Sequence, residues 1–183
     1  MVNESFENDG SFRRSVWYNA MGEGYIEKAF RQARINSPLS RLIYNDFDVA
    51  FEGPKADAMF NLVSRLLDEG VPIDGVGFQM HLDTSFDRFD SVRRNFQRFA
   101  DLGLEIYITE LDVSQFSGIQ EDRQASIYRD VLSVCLEQSA CKAVQLWGLT
   151  DRYSWRRAFS PLPLNGNYDA KPAYFSLQQR LSE

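Results

Sequence analysis

The chain has one histidine and two cysteines, and neither type is frequent enough to suggest a zinc cluster. It has no block of Lys or Arg: 20 basic residues face 26 acidic ones, a formal net charge of −6. Such a surface argues against nucleic acid or an anionic membrane as partner. No apolar run approaches the roughly 20 residues that span a bilayer. The first residues, Met-Val-Asn-Glu-Ser, hold neither a basic segment nor an apolar stretch, so no signal peptide is read there. No internal repeat, low-complexity tract or Pro/Ser/Gly linker is visible, and residues 1–183 read as a single domain.

Hydrophobic residues at 44% and charged residues at 25% fit a soluble globular protein. Aromatics reach 14%, which suits either a bulky core or a cleft lined with flat rings. Strand-like and helix-like stretches alternate, the pattern of a parallel sheet with crossover helices. Helices are expected over about 24–34, 54–69, 90–102 and 121–138, with a last one from 172. Pro54 suits a first turn, and Gly70 and Gly103 suit helix ends. Strands are expected over about 41–45, 75–80, 104–109 and 143–147, and Met1-Val2-Asn3-Glu4 is read as the end of another. A complete (β/α)₈ barrel takes about 250 residues, so the expected fold is α/β and a part of such a barrel.

In this architecture functional side chains gather at the carboxyl ends of strands. Those ends carry Asn45-Asp46, Gln79-Met80-His81, Thr109-Glu110-Leu111-Asp112, and Trp147-Gly148 followed by Thr150-Asp151. Side chains two apart share a strand face, so Gln79 pairs with His81 and Glu110 with Asp112. Asp46, Asp112 and Asp151 also fit plain helix caps or solvated loop charges, and a lone histidine fits a structural role. Glu110 is harder to dismiss. It continues the face of Leu104, Ile106 and Ile108, where an unpartnered carboxylate is costly. Glu4, by contrast, reads from position alone as a charge on a chain end. Trp155 sits in the polar run Asp151-Arg152-Tyr153-Ser154-Trp155-Arg156-Arg157, which suggests a loop capping a cleft. Cys135 and Cys141, six apart, fit a bridge or two buried thiols equally well.

Taken in order, these segments resemble family 10 of the glycoside hydrolases, the retaining endo-β-1,4-xylanases. Val2-Asn3-Glu4 is similar to the acid/base strand, Leu42 to Phe47 to the next, and Gly75 to Leu82 to the one after. Ile108-Thr109-Glu110-Leu111-Asp112 resembles the nucleophile strand. Leu146-Trp147-Gly148 through Arg156 resembles the last strand and its loop, and Lys171-Pro172-Ala173-Tyr174 the closing segment. The resemblance implies the last four to five βα units of the barrel, with the first three strands absent. It implies Glu110 as nucleophile and Glu4 as acid/base, with a pKa raised by the Glu110 charge. His81 is implied to bond Glu110 and to be steadied by Asp112. Asn3, Gln79, Asn45, Arg156, Trp147 and Trp155 are implied to contact substrate. No metal or cofactor is implied.

The implied partner is xylan or xylo-oligosaccharide. A bridge between Cys135 and Cys141 and a secreted origin follow from the same resemblance. An open half-barrel is expected to expose an apolar inner face and to form a homo-oligomer that covers it. Low or absent activity is expected where the missing strands would bind sugar. The alternative is a non-catalytic xylan-binding or structural half-barrel that self-associates.

Overall fold

A computed structural model describes residues 2–183. Strand β1 (Val2–Asn3) is followed by helices α1 (Val16–Met21) and α2 (Gly24–Asn36). Then come β2 (Ile43–Phe47), α3 (Pro54–Asp68), β3 (Gly75–Gln79), β4 (His81–Asp83) and α4 (Phe89–Asp101). β5 (Glu105–Ser114), α5 (Glu121–Glu137), β6 (Cys141–Leu146) and α6 (Pro172–Ser182) complete the chain, with two 3₁₀ turns before α6.

Every strand pairing is parallel, and the strands lie in the order β1-β2-β3-β5-β6. β4 prolongs the line of β3 and pairs with β5 beyond it. The fold is α/β, five βα units of a (β/α)₈ barrel. The stub expected at the amino terminus does pair: Val2 and Asn3 lie beside Tyr44 and Asn45. Met1 lies outside the described residues.

One face of the sheet packs on the helices. Val76, Phe78, Ile106 and Ile108 are fully buried there, and Phe78 stacks on Phe96 of α4 at 4.6 Å. The other face carries the row Asn45, Gly77 and Tyr107, with Thr109 two residues on. That inner face is therefore largely polar, and the expectation of an apolar inner surface is corrected. Some of the exposed apolar side chains lie at the two sheet edges. Trp17, Met21 and Ile35 line a cleft of about 870 Å³ along β1. Leu136 and Leu181 line one of about 480 Å³ along β6.

α1, β4 and the length of β5 differ from the sequence reading. α1 is absent from it because none of its residues is buried, so no apolar stripe marks it; Ser15 starts it by accepting a hydrogen bond from the Tyr18 amide. β5 runs five residues past Thr109, because β4 offers a further pairing edge. The Cys135 and Cys141 sulfurs are bonded, with Cα atoms 5.3 Å apart, tying the end of α5 to the start of β6.

Candidate active site

The register of β5 explains where its carboxylates go. Phe78 faces Ile108, yet His81 faces Asp112, so three steps on one side match four on the other. The extra residue is a bulge within 109–111, and it re-aims a side chain. Ile106 and Ile108 point to the helices, whereas Glu110 reaches Asn45 on the inner face. The alternation that put Glu110 on the face of Leu104, Ile106 and Ile108 is thus corrected.

Both Glu110 oxygens are held. Asn45 Nδ2 donates to Oε1 at 3.1 Å, and His81 Nε2 lies 3.2 Å from Oε2. Thr109 Oγ1 fixes the Asn45 amide by donating to its Oδ1 at 2.7 Å. The other His81 nitrogen, Nδ1, lies 3.2 Å from Asp112 Oδ2, although the angle is not that of a hydrogen bond. Asp112 is 0% exposed and accepts from Trp155 Nε1 at 2.7 Å, while Arg156 stands 3.9 Å from its other oxygen. The His81 ring meets Trp155 edge-on at 5.0 Å and Trp147 at 6.1 Å.

Glu4 follows β1 directly, with a left-handed φ of 55° that is uncommon outside glycine. Its amide donates to the Asn45 carbonyl at 2.9 Å, which anchors the turn to β2. Gln79 Nε2 donates to Glu4 Oε1 at 3.1 Å and to Asn3 Oδ1 at 3.2 Å. Asn45 Nδ2 also donates to Asn3 Oδ1, at 2.7 Å. A continuous chain of amides therefore links the two glutamates: Glu4, Gln79, Asn3, Asn45, Glu110.

The remaining bond to Glu4 comes from a residue that the sequence reading passed over. Arg13 Nη1 donates to Oε2 at 2.8 Å. Burial pushes the Glu4 carboxyl up, but the hydrogen bonds from Gln79 and Arg13, with Asn3 and the Arg13 charge, bring it below the usual glutamate value. The expectation of a raised pKa is corrected. Desolvation is the largest single influence on Glu4, but its donors and the Arg13 charge together outweigh it.

Glu4, Gln79, His81, Glu110, Trp147, Trp155 and Arg156 share one open cleft of about 470 Å³, with Phe47 and Asp48. Asn3 and Asn45 stand behind it in the amide chain. Asp46 and Asp151 are neither caps nor solvated charges. Both are buried and paired, Asp46 with Lys55 at 2.8 Å and Asp151 with Lys171 at 3.2 Å. Among the described residues, no group of three or more His, Cys, Asp or Glu is arranged to hold a metal ion.

A partial (β/α)₈ barrel with two carboxylates and two indoles at the carboxyl ends of its strands suits acid–base and nucleophilic work on a sugar acetal. Residues 1–180 match glycosyl hydrolase family 10. Endo-1,4-beta-xylanase B of Thermotoga neapolitana is 40% identical over 192 residues, covering 100% of this chain and 56% of that protein. An endo-1,4-beta-xylanase of Agaricus bisporus is also 40% identical, over 95% of this chain and 54% of its own length. The crystal structure of xylanase 10B from Thermotoga petrophila RKU-1 in complex with xylobiose superposes with a TM-score of 0.96 at 43% identity, covering 99% of this chain and 58% of that one. The chain belongs to glycosyl hydrolase family 10, and it spans a little over half the length of these relatives.

Proposed function

We propose that this chain carries the reacting half of an endo-1,4-beta-xylanase that cleaves β-1,4-xylosidic bonds with retention. The observation that carries the reading is the placing of Glu4 and Glu110 in one cleft, joined by the Gln79–Asn3–Asn45 amides. Glu110 attacks the anomeric carbon as the glycosidic bond breaks, and the Glu4 proton passes to the leaving oxygen. Water then enters: Glu4 takes its proton, its oxygen bonds to the anomeric carbon, and Glu110 leaves. His81 orients Glu110 and is itself held by Asp112. Gln79, Asn3, Asn45 and Arg156 place the sugar and the carboxylates, and Trp147 and Trp155 wall the ring.

Rate depends on binding energy from sugar units remote from the cleaved bond. This chain spans little more than half of its relatives, so hydrolysis by it alone is slow. The bare edges of β1 and β6 leave strand hydrogen-bonding groups unpaired beside apolar clefts. Copies of the chain associate there, β6 of one offering the neighbour that β1 of the other lacks.

The test is release of reducing ends from xylan by wild type, Glu4→Ala and Glu110→Ala, with sedimentation of the same samples. Slow release lost in both variants, a β-anomer as first product and an assembly larger than a monomer are expected. Xylo-oligosaccharide binding without hydrolysis, unaltered by Glu110→Ala, would instead establish a non-catalytic binding protein. A monodisperse monomer would refute the association.

A further inference from the structure

We propose that Arg13 is a positioning residue that holds Glu4 in its ionised form, favouring base work in the second displacement over acid work in the first. This rests on the acid/base reading of Glu4.

Arg13 is delivered by a built loop. Phe6 and Phe12 form an antiparallel bridge with stacked rings 4.7 Å apart, and the Arg13 amide donates to the Ser5 carbonyl at 2.8 Å. Gly10 turns the loop at a φ of 85°, and a Cβ there would lie 2.9 Å from the Pro54 carbonyl oxygen. The loop is thereby pinned against α3. Its guanidinium stands 5.3 Å from the Phe47 ring centroid and 3.5 Å from Glu7, besides its 2.8 Å contact with Glu4.

The chemistry follows from counting donors. Guanidinium has five N–H donors and no acceptor. Arg13 occupies one Glu4 oxygen and the Gln79 amide the other. Each oxygen keeps a second lone pair for a proton, but the neutral carboxyl is a weaker acceptor than the carboxylate, so protonation weakens both contacts. To protonate a leaving oxygen, Glu4 must first give up that charge-assisted part of both bonds. As a base it needs no such change. The other titratable or charged groups around it are Glu7 in the same loop, Tyr25, Lys28 and Arg31 from α2, Asp48 after β2, His81 and Glu110, with Arg156 across the cleft. Among the cations of the described residues, only Arg13 contacts its carboxylate.

The test is a ¹³C NMR titration of the Glu4 carboxyl, made also in a Glu110→Gln background to remove mutual titration. Arg13→Met is expected to move the Glu4 midpoint to higher pH, and Arg13→Lys by less. Glu7→Gln, an exposed change that frees Arg13 for Glu4, is expected to move it lower. At a pH above the midpoint, moving that midpoint by about 1 pH changes the protonated fraction about tenfold. In kinetics, Arg13→Met should raise the rate on xylotriose relative to an aryl xylobioside whose leaving group needs no acid. A Glu4 midpoint unmoved in both Arg13→Met and Glu7→Gln overturns the proposal. Should the midpoint move while Glu4→Ala leaves hydrolysis intact, the charge coupling stands and the acid/base reading fails.

Discussion

The resemblance implies the same sugar contact for Trp147, at the end of the last expected strand, and for Trp155, in the loop after it, but the structure gives them different surroundings. Trp155 Nε1 donates at 2.7 Å to Asp112, a carboxylate with 0% exposure. Trp155→Phe removes that donor and leaves the buried charge with His81 at 3.2 Å and Arg156 at 3.9 Å. A hydrogen bond to a buried charge contributes about 1.5–3 kcal/mol. The ring is 59% exposed, so lost packing adds little. Trp147 is 46% exposed and meets His81 only at 6.1 Å, so Trp147→Phe should cost no more than about 0.5 kcal/mol. With a urea slope of about 2 kcal/mol/M, Trp155→Phe lowers the unfolding midpoint by about 0.7–1.5 M. Far-UV circular dichroism in urea reads both variants at one protein concentration, so that any association shifts both equally. Equal midpoints for the two would refute the claim that Trp155 acts through a buried hydrogen bond.

Lys55→Met strands the Asp46 carboxylate, buried 2.8 Å from the ammonium, and should cost about 3–5 kcal/mol at neutral pH by thermal or urea unfolding. Burial holds the Asp46 carboxyl above its usual value against the pull of Lys55. A carboxyl raised on folding contributes most below its unfolded pKa and loses that contribution as pH rises through the folded one. The deficit of Lys55→Met should therefore shrink in acid, where Asp46 folds neutral; an undiminished deficit there would count against the pairing. Replacing Cys135 and Cys141 together by Ala opens a loop closed over a separation of 6 residues, for an expected loss of about 2 kcal/mol. No change in melting temperature under matched reducing and oxidising conditions would argue that the bridge adds nothing.

The sheet and the five long helices were legible, because burial on one face imposes a period and Pro172 marks the start of the last. Met59, Leu62, Val63 and Leu66 recur along α3, and all four are buried. Glu110 was legible as an unusual charge at the end of an apolar strand, but for a reason that fails in detail. A bulge is a change of register between two strands, and one strand's sequence does not record it. Arg13 was illegible for a related reason. It reaches Glu4 through a turn at Gly10 and a Phe6–Phe12 contact, and neither marks a strand or a helix. Asp46 and Asp151 were ambiguous because a carboxylate after a strand looks the same whether water or a buried lysine meets it.

The two halves of the site are held unequally. Glu110 stands in the middle of the sheet, with its oxygens tied to side chains from β2 and β4. Glu4 stands on a two-residue strand at the bare edge, and it lines both the 470 Å³ site cleft and the 870 Å³ edge cleft. Anything that fills the edge cleft, a second copy or further barrel strands, therefore acts on Glu4 before Glu110. Such a cover removes water from Glu4, and burial is the one influence that raises its pKa against Gln79 and Arg13. Arg13 and the cover thus oppose one another at the same carboxyl. Closing the edge pushes the Glu4 pKa up, while leaving it open keeps the lowering by Gln79 and Arg13. Glu110, held from within the sheet, does not border the edge cleft, and it meets the change only through the Gln79–Asn3–Asn45 amides.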